Sequence, residues 1–176
     1  MPSGRTHDAI TVLLAVPTFA AAWGLTNSVA LAAVATGAML FGGLMFGPDL
    51  DILSRQYTRW GPLRLLWWPY RVVFRHRSRW SHGIIFGTLI RVVYFALMLT
   101  LVACLAIYLR ATFIAGTPAD YGAVLRTWRA IEAGALMQGR PLRFVLAALA
   151  GLWWGAASHT LTDVAWSVLR KGSQIF

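Results

Sequence analysis

Apolar residues run through the chain in four long blocks, separated by segments crowded with arginine, glycine and proline. The first is Ala9 to Leu25, interrupted by Pro17, and the second is Val29 to Phe46. The third runs from Ile84 to Leu109 with Arg91 inside it; if Arg91 marks the interface, its strictly apolar part is Val92 to Leu109. The fourth begins near Leu142 and stays apolar to Ala157. Hydrocarbon about 30 Å thick is crossed by roughly 20 apolar residues in a helix, so each block predicts a transmembrane span. Thr26, Asn27 and Ser28 leave room only for a tight turn, which makes the first two spans a helical hairpin. The pattern predicts an all-α integral membrane bundle of four transmembrane helices, at 9–25, 29–46, 84–109 and 142–160, in one domain covering 1–176.

Residues 48–81 break this pattern. Arginines alternate there with Trp60, Trp67, Trp68, Tyr70 and Trp80, and Pro62 and Pro69 interrupt the run. Trp and Tyr favour the headgroup level and arginine stems reach from apolar surface to water. The segment predicts one or two short helices lying in the membrane interface. A single-stranded nucleic-acid surface also combines arginine with aromatics, but the bulky Leu and Val content favours membrane and no nucleic-acid partner is expected.

Composition agrees with the pattern. Of 176 residues, 58% are hydrophobic and only 12% charged, about half the charge of a soluble domain. A small fold cannot hide that much apolar surface, which excludes a soluble enzyme and a disordered basic tail. Cys104 is the single cysteine, so no disulfide closes within the chain. The N-terminus does not read as a secretory signal, since Asp8 precedes the first apolar block.

The net charge of +10 comes from sixteen basic residues against six acids, and Lys171 is the one lysine. Their distribution sets an orientation. Arg5, Arg55, Arg59, Arg64, Arg71, Arg75, Arg77, Arg79, Arg170 and Lys171 fall on the side of the N-terminus, and Arg110, Arg126, Arg129 and Arg140 on the other. The positive-inside rule places both termini and the 48–81 loop in the cytoplasm.

The titratable groups carry the chemistry. All four histidines fall in short polar motifs: RTHD at 5–8, HRSRWSH at 76–82 and HTLTD at 159–163; GPDLD at 47–51 adds a carboxylate pair. His159 and Asp163, four apart, share a helix face and can grip one ion or act as ligand and orienting partner. Asp49 and Asp51 held close would repel unless a cation lies between them or one is protonated. With the assigned orientation His7, Asp8, Asp49, Asp51, His76, His82, His159 and Asp163 all lie at the cytoplasmic surface, and their types suit a metal centre. Asp8 as a helix N-cap and the D-x-D pair as neutralisers of loop arginines are the plainer readings. Asp120 and Glu132 fall on the other side as solvated loop residues. No serine nucleophile elbow or phosphate-binding glycine loop is present.

Small residues suggest how the helices meet. Ala147, Gly151, Gly155, His159 and Asp163 recur every four residues, and Gly43 and Gly47 form a second pair leading to Asp49. Such G-x-x-x-G faces allow close helix packing, so spans two and four are expected to approach and bring the carboxylates near His159.

With RTHD, FGPDLDILSRQY, HRSRWSHG and HTLTD in this order, nearly the whole chain resembles a family of small bacterial membrane proteins, frequent in cyanobacteria, known chiefly as uncharacterised metal-binding proteins. A looser similarity links D-x-D, H-R-x-x-x-S-H and the late H-x-x-x-D to the YdjM-like membrane-bound metal-dependent hydrolases. In those the second motif is usually H-R-G-x-T-H-S, whereas this chain has Ser78 and Trp80 where that pattern has glycine and threonine. The resemblance implies metal binding by the His and Asp residues named above, in a bacterial cytoplasmic or thylakoid membrane.

These observations lead to a membrane-embedded, metal-dependent hydrolase acting at the cytoplasmic surface on a lipid or phosphoester-type substrate. One or two divalent ions are expected, with zinc the first assignment. Asp51 or Asp163 is expected to take the proton, and Arg75, Arg77 and Arg79 to hold an anionic headgroup. Membrane lipid is the expected partner, with a membrane protein or a second copy of the chain beside it. The alternative is a non-enzymatic, metal-stabilised assembly factor or small subunit of a larger membrane complex.

Overall fold

The computed structural model describes residues 2–76, 78–136 and 140–172, and within them the chain is helical with no strand. Helices α1 (Gly4–Leu13) and α2 (Ala15–Thr26) form a nearly continuous rod. The break at Leu14 lies just before Pro17, whose missing N–H removes a helical hydrogen bond. Ser3, not Asp8, caps this rod by accepting from the Thr6 amide at 3.2 Å, so the helix begins five residues before the apolar block. That early start places His7 and Asp8 on helical backbone.

Asn27 adopts the left-handed conformation that ends α2 (φ 49°), and Ser28 caps α3 (Val29–Leu44) by accepting from the Leu31 amide. The expected hairpin is therefore present. After α3 come a 3₁₀ turn at Pro48–Asp51, then α4 (Arg55–Thr58), a 3₁₀ stretch at Gly61–Trp67, α5 (Trp68–Val73) and α6 (Arg79–His82). Next are α7 (Phe86–Arg110), a π-helical turn at Ala111–Ala115, α8 (Gly122–Leu136) and α9 (Arg140–Gly172). Four helical stretches are long and apolar enough to cross a membrane: Gly4–Thr26, Val29–Asp51, Phe86–Ala115 and Leu142–Arg170.

The tightest packing joins α3 to α9. A Cβ added to Gly151 would fall on the carbonyl of Ala35, and one on Gly155 on that of Met39. Glycine alone lets the backbones approach this closely. The expected meeting of the second and fourth spans holds, with one change. Gly43 faces Thr11 and Gly155, but Gly47 lies beyond the end of α3 and packs on Gln56. The second close pair on α3 is therefore Gly42 with Gly43.

Three expectations are corrected. First, Trp60, Trp67 and Tyr70 do not lie open at the surface of the protein: they are buried with Phe46, Leu50 and Tyr57, and Phe95 stacks on Trp67 at 5.5 Å. The turns near Pro62 and Pro69 fold the segment back onto α3 and α7, where large rings bury more area than at a surface. Trp68 and Trp80 stay exposed. Second, residues 122–136 are not loop but the amphipathic helix α8, whose Val124, Trp128 and Ile131 face Leu99, Ala103 and Ile107 of α7. Asp120 and Glu132 are nevertheless exposed, Asp120 pairing with Arg126. Third, Arg91 is enclosed by protein rather than open at a surface. It is 2% exposed, donating to the Ser81 carbonyl at 2.6 Å and to Thr88 Oγ1 at 3.1 Å.

A candidate metal centre

The starts of α1 and α7, the end of α3, the 48–82 segment and the later part of α9 come together at one end of the bundle. His7 enters from α1, Asp49 and Asp51 from the 3₁₀ turn, His76 and His82 from the approach to α7, and His159 and Asp163 from α9. Pro48 opens the 3₁₀ turn, where its fixed φ suits a helical start. Ser78 accepts from the Ser81 amide at 3.1 Å and so shapes the short turn that delivers His82.

The side chains form two groups, each with its potential ligand atoms within 4.8 Å of one another. The first is His7, His159 and Asp163. The two imidazoles stack at 3.7 Å, and Asp163 Oδ1 lies 3.3 Å from His7 Nε2. The second is Asp49, Asp51, His76 and His82. Asp51 Oδ1 lies 2.9 Å from His76 Nδ1, and Asp51 Oδ2 3.5 Å from His82 Nδ1.

Asp49 belongs to both. Its Oδ1 is 3.5 Å from His82 Nε2 and its Oδ2 is 3.2 Å from His159 Nε2. One carboxylate thus spans the two groups, one oxygen to each.

Buried polar atoms are normally hydrogen-bonded, and each exception calls for an explanation. Here His7 Nδ1, His82 Nε2, His159 Nε2, Asp51 Oδ2 and both oxygens of Asp163 are buried without a hydrogen-bond partner. Most of these atoms lie 3.2–3.9 Å from another member of the site without forming a hydrogen bond to it, as donors around a shared ion do. The residues present therefore fit a metal. Arg91 adds a buried positive charge facing Asp49 and Asp51, which offsets part of their mutual repulsion.

Asp8 is placed differently from the other expected ligands. Arg59 grips it with two bonds of 2.8 and 2.6 Å, and Arg55 adds a third contact at 2.9 Å. Arg59 also donates to the Leu44 carbonyl at 2.8 Å, so this clamp ties α1 to the end of α3. The hydrogen bond from Arg59 to Asp8 holds the guanidinium even further above neutrality than usual. Of the arginines expected to bind substrate, Arg75 is exposed, while Arg77 and the side chain of Arg79 lie outside the described residues.

Gln56 is a site residue that the sequence did not reveal. It is buried, donates to the Gly43 carbonyl at 2.7 Å, accepts from the Asp49 amide at 3.1 Å and reaches within 3.3 Å of His159 Nδ1. The two backbone bonds fix which end of the amide faces the imidazole, so its amino group meets Nδ1.

Residues 2–172 match the family model described as "Uncharacterized metal-binding protein (DUF2227)". The chain belongs to this family. It is accordingly a metal-binding protein, and the two groups supply its candidate ligands. No curated protein and no solved structure matches the chain.

Proposed function

We infer that the protein is a membrane-embedded hydrolase with a dinuclear metal centre, acting on an anionic phosphoester at the cytoplasmic surface. The observation that carries this reading is Asp49, whose two oxygens serve two adjacent histidine–aspartate groups full of unpartnered buried atoms. Two-metal hydrolytic sites hold their ions close together, and Asp49, with one oxygen toward His82 and the other toward His159, would serve both. Mixed imidazole and carboxylate donors suit zinc, manganese or iron, and zinc is our assignment. When bound, such ions activate water and polarise a phosphoryl oxygen.

The chain's own groups divide the work. Asp51 is fully enclosed, with an oxygen facing each histidine of its group, and acts as a ligand. Asp163 stands 3.3 Å from His7 Nε2 and neither of its oxygens has a hydrogen-bond partner, which leaves it, of the two expected proton acceptors, the one with its oxygens uncommitted. A cavity of about 280 Å³ opens over His7, Asp49 and His159. A structural metal site is closed by protein ligands, whereas a catalytic one keeps access, so this opening favours the hydrolase over the assembly factor.

His159→Ala and Asp163→Ala test the metal reading. Each is expected to lower metal affinity by at least roughly 10–100-fold, the range seen even for partners behind the ligands. Metal per chain and Tm are measured together, and both should fall. Full metal retention in both variants would overturn the assignment on α9.

Membrane placement has its own test. The four long apolar helices support spanning, and the contacts of His7 with Asp163 and of Asp8 with Arg59 bring the N-terminal end, the 48–82 segment and the end of α9 to one side. With Cys104 replaced, cysteines introduced at Ser173 and Thr117 are expected to label from the cytoplasm and the opposite side respectively. Labelling of Ser173→Cys from outside would invert the orientation.

A further inference from the structure

We propose that Arg55 is the anion-binding residue of the site, receiving the phosphate group of the substrate in the cavity above His7, Asp49 and His159. The proposal rests on the metal reading above and names what its open side takes.

The cavity is lined by Gly4, Asp8, Ser54, Arg55 and Gln56 together with those three ligand residues. Seven of its nine lining residues carry polar side chains, and its one large apolar residue, Leu53, is 71% exposed. About 280 Å³ lies just below the range usual for drug-sized ligands. It admits a headgroup and water rather than a whole lipid, whose tails would have to lie outside, past Leu53.

Two arginines meet Asp8, and they differ. Arg59 satisfies both carboxylate oxygens, bonds the Leu44 carbonyl as well, and is 29% exposed. Arg55 makes one contact to an oxygen that Arg59 already holds, and is 51% exposed. An exposed pair of this kind contributes little to stability. Arg55 can therefore leave Asp8 while Asp8 keeps its main partner. Its guanidinium fork matches phosphate geometry, where it can form two parallel charge-assisted bonds.

Gly4 supports this assignment. A Cβ there would come within 3.1 Å of Arg55 Cδ, so glycine gives the arginine stem room at the cavity wall. The arginines expected from sequence to bind substrate do not line this opening, as far as the structure describes them. A phosphate held by Arg55 on one side would face the His7–Asp49–His159 edge on the other, which is the arrangement that phosphoryl hydrolysis needs.

The experiment compares the full-length metal-loaded chain with Arg55→Gln and Arg55→Lys, all in the same detergent. Metal per chain is measured first. Binding is then measured with inorganic phosphate, with acetate and with short-chain phosphatidic acid. Both variants should keep the wild-type metal content, because Arg55 touches no ligand atom in either group. Arg55→Gln should bind phosphate roughly 10–100-fold more weakly, the worth of a hydrogen bond to a charged group, and Arg55→Lys should recover part of the loss. Tighter binding of phosphatidic acid than of phosphate, lost in the same variant, identifies the lipid headgroup as the source; equal binding identifies free phosphate or a soluble ester.

Unchanged phosphate affinity in Arg55→Gln with full metal overturns the proposal and leaves the metal centre standing. Acetate binding as tightly as phosphate overturns the phosphate assignment. A wild-type chain without metal overturns both readings.

Discussion

Asp49→Ala is expected to empty both halves of the site. The variant keeps His7, His159 and Asp163 on one side and Asp51, His76 and His82 on the other, yet each side loses the carboxylate oxygen that faces its histidine. Wild type should carry two ions per chain, His76→Ala one, and Asp49→Ala none at metal concentrations that saturate the wild type. His76 lies in the second group only, beside Asp51, so its loss leaves His7, His159 and Asp163 with the bridging carboxylate. The thermal consequence follows from linkage. A ligand at one hundred times its Kd stabilises by about 2.7 kcal/mol, equivalent to roughly 5–10 °C in Tm for a chain of this size. Chelation of the wild type should reproduce the Tm of Asp49→Ala, and chelation of Asp49→Ala should change nothing. Asp8→Asn provides the contrast. It loosens the Arg59 clamp between α1 and the end of α3, so Tm should fall while metal stays bound. Wild-type stoichiometry in Asp49→Ala would end the bridging assignment.

The contrast between Asp8 and Asp49 shows where a sequence stops being informative. Both acids sit beside other polar groups at the end of an apolar block, and spacing gives them equal claims as ligands. What separates them is the 48–82 segment, which folds back and offers Asp8 two guanidinium groups from α4 and its edge. Long apolar blocks are legible because hydrocarbon thickness fixes their length, and the glycine periodicity of α9 is legible because close packing needs it every turn. His159 and Asp163 inherit their placement from that same periodicity. Gln56 had no such signal. Its partners lie 13 and 103 residues away, and no local period connects an isolated amide to either. The interfacial tryptophans failed for a related reason. Arginine beside tryptophan describes a membrane surface by composition, yet Trp60 and Trp67 pack against Phe46 and Phe95, partners distant in sequence that no local pattern announces. Helix α8 was hidden because Arg126, Arg129 and Glu132 cut its apolar residues into short runs, so a search for continuous apolar blocks passes over it.

Gly155→Leu is expected to cost both fold and metal. Gly155 lies one helical turn before His159, and its missing side chain is the space occupied by the Met39 carbonyl and the Gly43 amide of α3. Inserted volume in a packed core usually costs about 1–3 kcal/mol. The upper end applies here, because the obstacle is backbone rather than the flexible tip of a side chain. The helices can accept a leucine only by separating. That separation moves His159 away from Asp49, which is anchored just beyond α3, and from Gln56, which is bonded to the Gly43 carbonyl. Metal content and Tm should therefore fall together, and added metal should not restore the wild-type Tm. Gly37→Leu is the control, since Gly37 sits on the partner helix α3 with open space where a side chain would go. Leucine is a better helix former than glycine by up to about 1 kcal/mol, so that variant should keep its metal and melt no lower than wild type. A Gly155→Leu chain that retains wild-type metal and Tm would show that α3 and α9 do not need their close approach to build the site.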